Sequence, residues 1–262
     1  MTKNNLKQLD YRKALLSLYY KANAGHIGSS LSCIDLLIVL FENKSANERV
    51  ILSKGHAAAA LYVILNKSGE ISDKELLTFY HNGTKLPAHP PALSFENIPF
   101  ALGSLGHGLP IASGIAFANK LNKTRELVFV IMSDGETNEG TTWEAAHFAV
   151  QHQLDNLIVI IDKNKLQGFG ETSFVLGDTA SYDKWISMGF ECVEQDGHNI
   201  DKLNTSINQL KKNDNGKPKV IIANTVKGKG VSYMENKLEW HYLPMTEKLY
   251  KEALNSLTSN YS

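Results

Sequence analysis

Two stretches decide the fold: LVFVIMSDGETNEG (127–140) and LIVIIDKNKLQ (157–167). Each begins as an unbroken apolar run and ends in short polar residues. Unbroken apolar runs between helical patterns read as strands of a parallel sheet buried on both faces. Between them, Thr141–Gln153 places Trp143, Ala146, His147 and Val150 at helical spacing. The unit is therefore strand, helix, strand. In open parallel sheets, ligands bind beyond the carboxyl ends of the strands.

Working outward, the same rhythm continues. ArgValIleLeu at 49–52, Phe190–Glu194 and Val220–Asn224 read as further strands. Residues 5–22, 33–42, Ala57–Leu65, Pro110–Leu121, about 200–212 and 246–257 read as helices. Residues 81–109 are rich in Pro and Gly and read as a long loop, a length that compact domains reserve for function or disorder. No repeat, low-complexity segment or linker interrupts the pattern, so one α/β domain over 1–262 is expected, a parallel sheet with helices on both faces.

Composition excludes several classes. The 27 basic residues balance 27 acidic ones, against the basic excess of a nucleic-acid binder. Hydrophobic residues make up 43%, too many for a disordered chain. The apolar runs are far shorter than the roughly 20 residues that span a bilayer, and the start has no apolar leader core, so no membrane association is expected. Cys33 and Cys192 are too few for a disulfide framework; they read as reduced thiols of a cytoplasmic protein.

The chemistry concentrates at the two strand ends. Asp134 and Asn164 lie one strand–helix–strand crossover apart. If their strands are neighbours, the loop tips lie about 4.8 Å apart. A carboxylate, a carboxamide and the Leu166 carbonyl form a hard oxygen set, suited to Mg²⁺ or Ca²⁺ and not to zinc. A single carboxylate leaves charge for a diphosphate to neutralise. The helix beginning near Thr141 would aim its positive end at the same place.

This spacing resembles the thiamine diphosphate signature, and the chain as a whole resembles the diphosphate-binding half of transketolase. NAGHIGSSLS (23–32), LSKGHAAAA (52–60), LPAHP (86–90), GSLGHG (103–108), TVKGKGV (225–231) and WH (240–241) follow the family's motifs in order. The resemblance implies thiamine diphosphate with Mg²⁺ or Ca²⁺ and transfer of a two-carbon ketol unit from a ketose to an aldose. It implies Asp134, Asn164 and Leu166 as metal ligands. Gly135, Gly103, Ser104 and Leu105 would contact the coenzyme, the last three against its thiazolium. His56 and His241 would bond diphosphate oxygens or face the reacting centre. His26 and His89 would line the sugar channel. Glu139 resembles a residue that reaches across a subunit interface. His198 would fix a loop.

Four departures stand out. Ser133 replaces the signature's first Gly, His107 a usual Gln, Tyr242 a usual Gly, and segment 42–48 is short. The glutamate that bonds the aminopyrimidine belongs, in the family, to a second, pyrimidine-binding domain. The chain closes after the last motif and a terminal helix. The expectation is the N-terminal subunit of a split transketolase, active with a C-terminal partner in an α₂β₂ assembly. The alternatives are a subunit like 1-deoxyxylulose-phosphate synthase, or a non-catalytic cofactor-binding subunit. The residues leave the sugars open.

Overall fold

The computed structural model describes residues 2–261, so the two terminal residues of the expected domain lie outside the described residues. Two helices open the chain, α1 (Lys3–Ala22) and α2 (Ile27–Asn43). Strand β1 (Arg49–Leu52) follows, then α3 (Ala58–Lys67) and the single turn α4 (Asp73–Leu76). After the long loop come α5 (Gly108–Leu121), β2 (Val128–Ser133), α6 (Gly140–Gln151) and β3 (Leu157–Lys163). A two-residue hairpin, β4 (Leu166–Gln167) with β5 (Gly170–Glu171), precedes α7 (Thr172–Leu176) and α8 (Tyr182–Met188). The chain continues through β6 (Glu191–Asp196), α9 (Ile200–Lys212), β7 (Lys219–Asn224) and α10 (Glu247–Asn260).

The five long strands form one sheet in the order β1-β2-β3-β7-β6, and every pairing is parallel. The α/β expectation holds, and β2 and β3 are neighbours. Alternate residues of β2 feed opposite faces. Phe129 and Ile131 join the apolar layer with α1, α2, α3, α9 and α10. Val128, Val130 and Met132 join the layer with α5, α6 and α8. That two-sided burial is why these strands read as unbroken apolar runs.

Helix α2 begins at Ile27, six residues before the expected start at Cys33. Its first turns carry Gly28, Ser29, Ser30 and Ser32, all buried, so polarity there marks a site and not a surface. Cys33 is fully buried, whereas Cys192 is only half-buried on β6. Among the described residues no helix is long and apolar enough to cross a membrane.

Candidate functional site

The β2–β3 register places Ser133 opposite Asp162, so the loops after these strands start side by side. They are then stitched together. The Lys165 amide donates to Asp134 Oδ2 at 2.6 Å, and the Thr172 hydroxyl donates to the same oxygen at 3.2 Å. Asn164 folds back to accept from the Leu166 amide at 3.1 Å. The expected ligands Asp134, Asn164 and Leu166 are thus gathered at one place. Asp134 is 1% exposed and Asn164 3%. Burial and the neighbouring Asp162 charge push the Asp134 carboxyl up to about 6, against the bonds from Lys165, Gly135 and Thr172. A buried carboxyl held up in this way is one that a divalent cation would stabilise as the anion. Among the described residues no group of three or more His, Cys, Asp or Glu could hold a metal, as expected of a set with one carboxylate.

Above these loops lies a cleft of about 460 Å³. Its walls include His56, His241, Gly103, Leu105, Gly135, Glu139, Asn164 and Leu166, eight residues singled out in the sequence. His26 and His89 stand beside it. The His26 ring lies 5.1 Å from His241, 5.9 Å from His56 and 6.3 Å from His89. The four histidines, distant in sequence, form one cluster. His26 occupies a left-handed backbone position at the start of α2, with φ 72°. Ser104 is the exception: it is exposed and lies outside the lining residues. Glu139 is exposed at the cap of α6 and makes no capping bond there.

The electrostatics are unusual for a histidine-rich cleft. Burial, followed by nearby Lys54, pushes the His56 pKa well below its ordinary value. Burial and Lys227 push His241 down to about 3, and burial lowers His26 and His89 as well. All four imidazoles are therefore neutral at pH 7 and can donate or accept a proton.

Beneath the cleft, Lys54 and Asp162 form a fully buried ion pair that Ser32 and Thr225 complete by donating to Asp162. Burial alone would raise the Asp162 carboxyl, but Lys54 and the two hydroxyls outweigh it and hold it low. A second lysine, Lys227, reaches Leu166 O at 3.2 Å and His241 Nδ1 at 2.8 Å. Burial, then Lys54, lowers the Lys227 pKa to about 8. Sequence reasoning missed Lys227, Ser29 and Glu136. Ser29 lines the cleft, yet its hydroxyl is buried without a partner. An orphaned buried hydroxyl fits a site whose ligand completes the hydrogen bonding.

Of the departures, Tyr242 lines the cleft and its hydroxyl donates to Gly168 O at 2.7 Å. His107 is exposed and sits against the Ser104 and Leu105 carbonyls, outside the cleft. His198 fixes a loop as expected: Nδ1 lies 2.8 Å from Asp35, and Nε2 accepts from the Val226 amide. His152 packs on Phe117 and Phe148.

Fold and cleft together define a coenzyme-binding domain of the thiamine diphosphate class, with its metal and phosphate ends at the carboxyl edge of a parallel sheet. The model of the family described as "Transketolase, thiamine diphosphate binding domain" matches residues 10–260, and the chain belongs to this family. One of the two subunits named for apulose-4-phosphate transketolase in Phocaeicola vulgatus is 37% identical over 257 residues, covering 94% of this chain and 91% of that protein. A 6-deoxy-6-sulfo-D-fructose transketolase subunit of Clostridium sp. is 36% identical, covering 94% and 93%. The crystal structure of transketolase from Campylobacter jejuni superposes with a TM-score of 0.89 at 29% identity, covering 98% of this chain and 43% of that one. The chain therefore matches separate transketolase subunits along nearly their whole length and full-length transketolase over less than half.

Proposed function

We propose that this chain is the diphosphate-binding subunit of a two-component transketolase, moving a two-carbon ketol unit from a ketose to an aldose. The observation that carries the reading is the junction of the stitched Asp134–Lys165 loops with the four-histidine cleft. When bound, the coenzyme supplies an electron sink for the two-carbon carbanion. Asp134, Asn164 and the Leu166 carbonyl hold Mg²⁺ or Ca²⁺. Lys227, Ser29, His56 and His241 donate to phosphate oxygens or face the reacting centre. The Gly103–Leu105 turn packs on the coenzyme ring. His26 and His89, as neutral imidazoles, bond the sugar's carbonyl and hydroxyls and carry protons as bonds form and break. The whole chain, 1–262, acts as one coenzyme-binding domain of the cytoplasm.

The carboxylate that bonds the aminopyrimidine is assigned to a second subunit carrying the pyrimidine-binding domain, in an α₂β₂ assembly. Support comes from the cleft's rim. Phe169 and Phe174 are each 88% exposed and Leu176 is 62% exposed, an apolar lip suited to a covering protein. The relatives named as subunits of apulose-4-phosphate transketolases point the same way. The test is to assay the chain with coenzyme and Mg²⁺, first by itself and then with its partner. Binding without turnover by the chain alone, and ketol transfer on adding the partner, are expected. Full transfer by the isolated chain overturns the split-enzyme reading. Pyruvate decarboxylation in place of ketose cleavage would favour the synthase-like alternative.

A further inference from the structure

Glu136 has no role in the chemistry described above. It is wholly buried, two residues past Asp134 in the turn Gly135–Asn138. Its carboxylate collects three donors from three segments. The Ser53 hydroxyl, just past β1, donates to Oε1. The Gly106 amide donates to the same oxygen at 2.8 Å. The Ser133 amide, at the end of β2, lies 3.3 Å from Oε2. Ser53 Oγ in turn accepts from the Gly108 amide at 2.9 Å. The glycine-rich turn 103–108 is therefore held at two amides, one directly and one through Ser53. A third tie comes from Thr141, whose hydroxyl donates to Gly106 O at 2.8 Å. Gly106 has φ +83°, and a Cβ there would run into Thr141 and Glu139, so the turn has one seat.

We infer that Glu136 is a positioning residue that locks the 103–108 turn to the Asp134 loop, so that the ring-binding and phosphate-binding ends of the cleft act as one rigid receptor. The inference rests on reading the cleft as a thiamine diphosphate site. A glutamine keeps the volume but not the pattern. With its oxygen facing Ser53 and Gly106, its NH₂ faces the Ser133 amide, donor against donor. Reversed, the NH₂ faces the Gly106 amide and the Ser53 hydroxyl, which already accepts from Gly108.

The test is Glu136→Gln in the full chain, read in two ways. First, amide hydrogen exchange is followed at Gly106 and Gly108, with Val130 and Ile160 of the sheet as internal standards. Second, Mg²⁺-thiamine diphosphate and Mg²⁺-pyrophosphate are titrated separately. Glycine-turn exchange faster by about tenfold with the sheet unchanged is expected, with coenzyme affinity weakened about tenfold and pyrophosphate affinity within about threefold. Unchanged exchange at Gly106 and Gly108, or equal weakening for both ligands, overturns the inference. If the glutamine variant does not fold, Ser53→Ala, which removes one joint of the same lock, takes the same measurements, and the same outcomes support or overturn the inference. Failure of the wild-type chain to bind either ligand strikes at the coenzyme reading itself, a result separate from any difference between wild type and variant.

Discussion

Two hollows open at opposite ends of the same strands, and they differ in what their polar groups are doing. At the amino end of β2 and β3 lies the roomier one, about 560 Å³, lined by Lys120, Arg125, Asp155, Asn156, Lys211 and their neighbours. Its charges are largely spent on one another. Lys120 donates to the His152 and Gln153 carbonyls at the end of α6, Arg125 pairs with Asp214, and Lys211 binds Glu48 and the Asn43 carbonyl. Cations at helix carboxyl ends stabilise the fold. At the carboxyl end, the cleft of about 460 Å³ holds an orphaned Ser29 hydroxyl, an orphaned Gln167 amide nitrogen and histidines kept neutral. Volume does not distinguish the two; unspent hydrogen-bonding capacity does.

The sharpest way to break this contrast is at the metal loop. Asp134→Ala should weaken Mg²⁺-thiamine diphosphate binding about a thousandfold, equivalent to about 4 kcal/mol, by calorimetric titration. Survival of binding within tenfold would remove Asp134 from the site. Next in size, Lys54→Met leaves Asp162 buried without its cation. Urea unfolding should show a loss of about 3 kcal/mol, because one half of a buried pair costs more alone than the pair does together. A loss no larger than that of a surface change would mean that the pair is solvated.

A third test uses pH. His56 has a folded pKa well below its ordinary value of 6.5, so the unfolded chain takes up the proton first. Its stabilising contribution is present above about pH 6.5 and is lost as pH falls below it. The stability of wild type relative to His56→Asn should therefore decline by about 1 kcal/mol per pH unit below 6.5, allowing for some solvent screening. A pH-independent gap would contradict a neutral imidazole. The smallest effect is expected at the other hollow. Lys120→Ala should lower Tm by about 1 °C and leave coenzyme affinity unchanged, since it loses only a helix-end contact.

Much of the fold is legible because the parallel sheet writes itself as unbroken apolar runs. The apolar runs locate β2, β3 and β7 to within a residue or two, and their ends point to Asp134 and Asn164. The segment 166–188 is not legible. A hairpin of two residues per strand and helices of five and seven residues carry too little periodicity to read. Lys54 and Asp162 are 108 residues apart, and no local pattern announces that a lysine will be fully buried. Glu136 looks like an ordinary acidic residue in a polar loop for the same reason: its three donors come from separate segments. Ser29 is hidden by the same logic, since a buried orphan hydroxyl exists only once the helix is packed. The histidines are legible because each sits in its own short motif, most of them bearing glycine or proline.

The pairing of Ser133 with Asp162 has one more consequence. Adjacent strands keep an interval of about 4.8 Å whatever their side chains, because the peptide ladder sets it. The distance between the two metal-bearing loops is thus a property of the backbone lattice, like the pitch of a screw thread. Exchanges within the loops, Ser133 for glycine among them, can retune which ion or phosphate is preferred without resetting the gauge on which both are measured.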